Sequence, residues 1–312
     1  MTPRTRSRAL AVVVVASAAI TTACGLGPGT TPTGAGLLVT QDFGAQTLLQ
    51  TRAPQISGAD TVMRLLERNA SVTTRYGGGF VESIDGHSGG SQAGQPDDWF
   101  LYVNGVQTAK GAADTKVHDG DHVWWDRHVW AATENIPAVV GSFPEPFTNG
   151  YGGTLYPTRV ECTQPNSKSC TAVYRSLSGH DVVAGLGCLD CAPYNKSLRV
   201  VVGPDPTLTI DPTAALLRES PSRSGVFARF TNAGHQLELL GPTGRILKTL
   251  GAGAGLIAAT RLNGGPPVWF VTGTDAAGVA GAEKAFNAGT LDGHFAVAVA
   301  NDTAQPLPLG GP

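Results

Sequence analysis

The sequence predicts an α+β protein built from two domains. Short apolar stretches end repeatedly at Gly, Asn-Gly or Asp-Gly, which is the pattern of β-hairpins. A few short segments with helical spacing lie between these stretches. The length of 312 residues is enough for about two domains, each with a core of its own.

The N-terminus predicts export and a lipid anchor. Three arginines precede an apolar run, residues 9–20, which is too short to span a membrane but has the length of a signal-peptide core. Small residues then lead to Cys24 as in a bacterial lipobox, although Thr21 stands where Leu is usual. We expect a signal peptide at 1–23, a lipid on Cys24 at the outer face of the bacterial cell membrane, and a flexible linker at 24–36. Ordinary cleavage nearby, with Cys24 left as a thiol, is the alternative.

The charge balance excludes one class of partner. The 22 Lys and Arg residues and 24 Asp and Glu residues give a formal net charge of −2, unlike a strongly basic nucleic-acid-binding protein. Removal of residues 1–23 takes away three Arg and no acid, which changes this charge from −2 to −5. A mildly acidic protein is not attracted to DNA or anionic lipid, so we expect no nucleic-acid partner.

The first domain, predicted at 37–135, has the element order of a β-grasp fold: a hairpin, a short helix, then further strands. Asn104-Gly105 is the strongest hairpin signal in it. The predicted strands are residues 37–40, 47–51, 72–76, 80–84, 99–103 and 123–125, and the predicted helix is 61–69 with Asp60 as its N-cap.

Four stretches of this domain carry a resemblance to a known family. They are TVMRLLERN, FVESIDG, DDWFLYVNGV and VHDGDHVWW. Together they resemble the β-grasp domain at the C-terminus of transcobalamin and intrinsic factor, which also occurs in actinobacterial surface lipoproteins. In the vertebrate proteins this domain closes over cobalamin beside a large helical barrel. This chain has no such barrel in its sequence, so the resemblance implies a cobalamin-like ligand only weakly.

The second domain, predicted at 136–312, is mixed α/β, and its role is open. Apolar stretches predict its strands and capping residues its helices. The predicted strands are residues 156–162, 198–202, 226–230, 237–240, 246–249, 268–271 and, as the final strand, 295–299. The predicted helices are residues 171–177, 211–217 and 275–286.

Four cysteines follow Cys24, and their even number outside the cytoplasm indicates two disulfides. Three pairings are possible, and local closure favours Cys162 with Cys170 and Cys188 with Cys191. A zinc or redox site at Cys188 and Cys191 is disfavoured, because no second Cys-x-x-Cys is present and a loop follows instead of a helix.

Aromatic residues give the main functional hint. The adjacent Trp124 and Trp125 must point to opposite faces of a strand, so one can fill the core while the other lies on a surface or between the domains. We predict that one of these two tryptophans lies on a contact surface for a flat organic ligand or a protein partner. The other candidates for this surface are Trp99, Tyr102 and Asn104.

Two further motifs have weaker functional interpretations. Ser88 lies in a Gly-x-Ser-x-Gly sequence, but a turn-rich loop follows where a nucleophile elbow needs a helix. His122 and His128 share one face of a predicted strand, yet about 20 Å of extended chain separates them, so we expect no metal site.

The preferred function is therefore a non-enzymatic, membrane-anchored lipoprotein, without a cofactor, that binds a small molecule or presents it to a membrane transporter. The alternatives are an envelope scaffold that makes only protein contacts and, less favoured, a serine hydrolase at Ser88.

Overall fold

The computed structural model describes Met1 and residues 34–53, 56–189 and 196–310. The fold is α+β, as the sequence predicts. Residues 32–312 form one compact unit, within which we distinguish a first lobe up to residue 135, around one sheet, and a second lobe from residue 136, around another. The predicted signal peptide and Cys24 lie outside the described residues. No described helix is long and apolar enough to cross a bilayer.

The first lobe consists of one sheet, a small three-stranded sheet and one helix. Its strands are β1 Ala35–Gln41, β2 Gln46–Ala53, β3 Val72–Arg75, β4 Phe80–Ile84, β5 His87–Ser88, β6 Gly90–Gln92, β7 Gln95–Val103, β8 Val106–Gln107 and β9 His122–Val129. Its helix is α1 Val62–Asn69. The main sheet has the order β2-β1-β9-β7-β6, with β8 also paired to β7, and the small sheet has the order β3-β4-β5.

The main sheet has the predicted β-grasp arrangement. Strands β1 and β2 form an antiparallel hairpin, and the last strand, β9, runs parallel to β1 at the centre. One face of the sheet packs against the apolar side of α1, where Leu65 and Leu66 are fully buried. The Asn104-Gly105 turn joins β7 to β8, and both residues have positive φ as a tight hairpin turn requires.

Two details of the first lobe differ from the predictions. Strand β1 begins at Ala35, so the end of the predicted linker belongs to the sheet. There the backbone N of Gly36 donates to the carbonyl of Asp121. The N-cap of α1 is Thr61, whose hydroxyl accepts from the backbone N of Arg64. Asp60 instead pairs with Arg68, which is why it does not cap the helix.

The second lobe contains a seven-stranded mixed sheet, a three-stranded sheet and helices. Its strands are β10 Thr158–Cys162, β11 Ala184–Cys188, β12 Leu198–Pro204, β13 Ala228–Thr231, β14 Gln236–Leu240, β15 Ile246–Leu250, β16 Gly255–Thr260, β17 Val268–Gly273, β18 Ala296–Ala300 and β19 Thr303–Leu307. Its α-helices are α2 Lys168–Ser178, α3 Pro221–Ser224, α4 Ala276–Ala285 and α5 Ala288–Leu291. The larger sheet has the order β11-β10-β12-β17-β16-β18-β19, and β13-β14-β15 form the smaller one.

Several predictions in this lobe are confirmed and others are wrong. Asp275 caps α4 through the backbone N of Gly278, as predicted. The segment after Asp211 forms a short 3-10 helix, Ala214–Arg218, and Asp211 Oδ1 accepts from the backbone N of its first residue, Ala214. Strand β18 is not the final strand, because β19 pairs with it along its whole length.

The disulfide between Cys162 and Cys170 is present, which confirms the local pairing. It links the end of β10 to the first turn of α2. Cys188 is also disulfide-bonded. Because Cys191 lies outside the described residues, the pairing of these two cysteines stays a prediction.

Both faces of the first sheet are covered. On the face away from α1, Leu38, Tyr102 and Trp124 share a core with Phe270 and Phe295 of the second lobe. The face toward α1 holds residues such as Trp125. The two lobes therefore meet across a continuous apolar core.

Candidate functional site

The five predicted ligand-binding residues are buried. The exposed fractions are 6% for Trp99, 0% for Tyr102, 1% for Asn104, 0% for Trp124 and 4% for Trp125. The prediction that they form an exposed contact surface is therefore wrong. The second lobe covers Tyr102 and Trp124, whereas Trp99 and Trp125 lie on the other face of the sheet, in the core beside α1.

Trp124 and Trp125 do point to opposite faces, as predicted. Trp124 packs edge-on against Phe295 of the second lobe, with ring centroids 5.2 Å apart, and its indole N donates to Thr40 Oγ1 at 2.8 Å. Trp125 instead packs in the core beside α1. Both indoles therefore stabilise the fold by burying large apolar surfaces.

Unlike the two tryptophans, Asn104 lies outside the apolar cores. Its side chain is at the seam, by which we mean the polar contact between the two lobes around Asp121 and Gly150. Its amide N donates to Asp121 Oδ1 and to the carbonyl of Gly150, each at 2.8 Å. Its amide O accepts from the backbone N of His122 at 2.8 Å. Asp121 Oδ2 accepts in turn from the backbone N of His118 at 2.7 Å. Asn104 thus fixes the segment of the first lobe that lines both clefts of the seam.

The first cleft, which we call the cationic cleft, has a volume of about 420 Å³. Its lining comes from the end of β7, β8, the loop before β9, and two parts of the second lobe. The lining residues are Val103, Val106, Gln107, Thr108, Ala109, Lys110, Asp114, Thr115, Lys116, His118, Asp121, Tyr151, Gly152, Gly153 and Arg261. A cleft of this size fits a small organic molecule.

The cationic cleft has an apolar floor and a rim that carries two lysines and the exposed Asp114. Val103 and Val106 are 7% and 5% exposed and are the buried apolar residues of its lining. Lys110 and Lys116 are exposed, and neither is in an ion pair with any described residue. Such a combination favours a ligand that has both an apolar part and a negative charge.

An aromatic residue and an arginine form the wall from the second lobe. The guanidinium carbon of Arg261 lies 5.4 Å from the ring centre of Tyr151, a cation–π contact. Its guanidinium donates to the carbonyls of Gly264 and Gly265. Burial and a hydrogen bond with Tyr156 raise the pKa of Tyr151 to about 12, so its hydroxyl stays protonated.

The second cleft, the polar cleft, has a volume of about 380 Å³ and lies on the other side of Asp121. Its lining residues are Gly34, Gly36, Gln50, Arg52, Gly120, Asp121, His122, Gly141, Ser142, Phe143, Pro144, Glu145, Asn149 and Asp292. Glu145 accepts from the backbone N of Asn149, and burial raises the pKa of its carboxyl. His122 Nδ1 lies 2.8 Å from Ser142 Oγ.

The two histidines of the predicted strand face different surroundings. His122 lines the polar cleft, whereas His128 is fully buried and pairs with Asp126 at 2.7 Å. The imidazole of His128 stacks between Phe43 and Phe100, with centroid distances of 4.4 and 4.2 Å. Among the described residues, no three His, Cys, Asp or Glu side chains are placed to hold one metal ion.

Ser88 does not lie on a nucleophile elbow. It is exposed in the two-residue strand β5, and the next element is strand β6 instead of a helix. Its carbonyl accepts from Arg127 Nη1 at 2.8 Å. The strained strand-to-helix turn that activates a serine in such a motif is therefore absent at this position.

One family model matches part of the first lobe. Residues 59–128 match the family described as Domain of unknown function (DUF4430). This DUF4430 family is transcobalamin-like, which is consistent with the resemblance in the sequence. The match runs from the start of α1 into β9 and leaves the second lobe outside.

A solved structure and the curated proteins add little to the DUF4430 match. A proposed metal-binding protein from Ruminococcus gnavus ATCC 29149 matches with 18% identity and a TM-score of 0.24, over 30% of this chain and 95% of that chain. This likeness is too remote to transfer a ligand. No curated protein matches the chain.

Sequence reasoning missed the residues that line the two clefts from the second lobe. Tyr151, Ser142 and Arg261 lie in irregular segments with no motif, and they reach the first lobe only through tertiary packing. Two residues that the sequence points to do lie at these clefts: Asn104 of the hairpin has a buried polar side chain beside Asp121, and His122 lines the polar cleft.

Proposed function

We propose that this chain is an exported, lipid-anchored protein of the bacterial cell surface that binds a small organic anion in the cationic cleft and presents it to a membrane transporter. Lys110, Lys116 and Arg261 carry the binding in this proposal. None of the three pairs with a described carboxylate, although acidic residues outnumber basic ones in the chain.

The chemistry of the cleft supports an anion with a flat apolar body. The body would lie on Val103 and Val106 beside the ring of Tyr151, and the anionic group would reach the three cations. A hydrogen bond to a charged group contributes about 1.5–3 kcal/mol, so losing one weakens binding roughly tenfold or more. The transcobalamin-like resemblance adds a corrinoid as a second candidate ligand.

Calorimetric titration with naphthalene-2-sulfonate as the probe tests this proposal. We expect the wild-type protein to bind it, and the double variant Lys110→Gln/Lys116→Gln to bind at least about tenfold more weakly. Arg245→Gln, which removes an exposed cation outside the cleft, should leave the affinity unchanged. The amine 2-naphthylmethylammonium should not bind.

Three outcomes would overturn the proposal. One is equal binding of the sulfonate and the ammonium probe, because the cations would then have no role. Another is that neither the sulfonate nor cyanocobalamin binds, which would favour the scaffold alternative. Binding of cyanocobalamin alone, insensitive to the lysine variant, would move the site away from this cleft.

The location of the protein has a separate test. The disulfide between Cys162 and Cys170 fits an oxidising compartment, since such bonds rarely persist in the cytoplasm. Cys24→Ser should release the protein from the membrane fraction into the medium. A membrane fraction unchanged by this substitution would contradict the anchor.

A further inference from the structure

The polar cleft contains a serine and a histidine from different lobes in hydrogen-bond contact. Ser142 Oγ lies 2.8 Å from His122 Nδ1, and both residues line the cavity of about 380 Å³. Ser142 is only 5% exposed, so its hydroxyl faces a confined space. Contact between a hydroxyl and an imidazole inside a cleft is the minimal arrangement of an activated nucleophile.

Backbone contacts place a carboxylate at the same site. Gly141, just before Ser142, accepts from the backbone N of Gly293, and Val140 donates to the carbonyl of Phe295. A Cβ at residue 141 would lie 2.5 Å from the backbone N of His294, so only glycine allows this approach. The segment held in this way carries Asp292, which also lines the cleft.

The electrostatics favour a neutral imidazole. Burial lowers the pKa of His122, Asp292 opposes this shift, and Arg52 adds to it. The lowered pKa favours the neutral imidazole, and in the tautomer that carries its proton on Nε2 the Nδ1 accepts the Ser142 hydroxyl proton. The other ionisable groups on the cleft wall are Asp121 and Glu145.

Gly141 and Ser142 line the cleft, and their backbone N–H groups are the candidate donors to a developing negative charge. Among the described residues, none accepts a hydrogen bond from the backbone N of Gly141 or of Ser142. Backbone N–H groups beside a nucleophile are the usual donors to the oxyanion of an acyl-transfer intermediate.

We propose that Ser142 and His122 form a hydrolytic site for small polar esters, with Asp292 as the residue that orients the imidazole. Ser142 Oγ attacks the ester carbonyl carbon while its proton passes to His122 Nδ1. The tetrahedral intermediate then breaks its bond to the alcohol oxygen, which leaves with that proton. Water attacks the acyl-serine in the same way, which releases the carboxylic acid and restores the serine hydroxyl.

The substrate class follows from the lining of the cleft. Gln50, Arg52 and Asn149 present hydrogen-bonding groups, and the volume fits a molecule of modest size. This site is separate from the cationic cleft, so its chemistry does not depend on the proposed binding function. The site also differs from Ser88, which the sequence motif selects.

Labelling with a fluorophosphonate probe, followed by mass spectrometry of the wild-type peptides, tests the proposal directly. We expect the adduct on Ser142, and Ser142→Ala should lose labelling. Ser88→Ala, the matched control at the sequence motif, should label as the wild type does. Because a general base contributes about 10²–10⁴ in rate, His122→Gln should label at least about 100-fold more slowly.

The pH profile separates activation by His122 from simple exposure of Ser142. The labelling rate should fall with acidification below the usual histidine pKa of 6.5, as His122 becomes protonated. If Ser142→Ala fails to fold, Ser142→Cys replaces it, and iodoacetamide should alkylate it faster than in Ser142→Cys/His122→Gln. An adduct at another residue, no adduct at all, or a rate that His122→Gln leaves unchanged would overturn the proposal.

Discussion

Asn104 supports the most direct test of the seam between the lobes. In Asn104→Gly, the amide bonds to Asp121, to the carbonyl of Gly150 and to the backbone N of His122 are lost. Each buried partner left unsatisfied costs about 1–3 kcal/mol. Because clefts on both sides of Asp121 let water in, we take about 1 kcal/mol for each of the three partners. The free energy of unfolding should therefore fall by about 3 kcal/mol.

The substitution to glycine isolates the side chain from the backbone. Asn104 has φ +53°, a left-handed conformation that glycine adopts without strain. Asn263→Gly is the matched control, because Asn263 has φ +50° and is exposed. With a urea slope of about 3 kcal/mol/M, the Asn104 variant should lower the unfolding midpoint by about 1 M and the control by much less.

Urea titration followed by tryptophan fluorescence measures both variants. Equal midpoints for Asn104→Gly and Asn263→Gly would refute the reasoning. Such a result would mean that the hydrogen bonds of Asn104 are replaced by water without cost. A lower slope in the Asn104 variant would instead indicate that the lobes no longer unfold together.

The remaining predictions concern stability at three other places. Replacing Cys162 and Cys170 by Ala opens an eight-residue loop. Denaturant titration should show the free energy of unfolding lowered by roughly 2–3 kcal/mol. An unchanged free energy would contradict the loop-entropy argument. Trp124→Ala leaves a cavity between the lobes and should lower the free energy of unfolding by about 3–5 kcal/mol, which is measured as a lower melting temperature. An unchanged melting temperature would mean that this ring lies outside the core. The pairing with Arg68 lowers the pKa of Asp60 to about 2, so its stabilisation is present above pH 3.8 and is lost as the pH falls toward 2. NMR titration of Arg68→Gln should show the pKa of Asp60 rising toward its usual value.

Local signals explain which elements the sequence predicts well. The Asn104-Gly105 turn, the Asp275 cap and the close spacing of Cys162 and Cys170 each act through residues near one another in the chain. Their geometry is set by backbone conformation and short-range hydrogen bonds, which do not depend on the rest of the fold. These features are all present in the structure.

Two strands that the sequence does not predict, β16 and β19, lack such local signals. Strand β16, Gly255–Thr260, is buried on both faces and therefore shows no alternation of polar and apolar residues. Strand β19, Thr303–Leu307, contains Pro306, which argues against a strand except at a sheet edge, and β19 is an edge strand. Strand β16 is placed between β17 and the more distant β18, whereas β19 pairs with β18 directly before it in the chain.

The sequence alone determined the fold class, the β-grasp order, one disulfide and the opposite directions of Trp124 and Trp125, because period and spacing fix these properties locally. Only the tertiary structure decided that both indoles are buried, since a sheet face is exposed or covered according to what packs on it. It likewise brought Arg261 to the lysines and Ser142 to His122. Contacts between the lobes join segments that no local pattern connects.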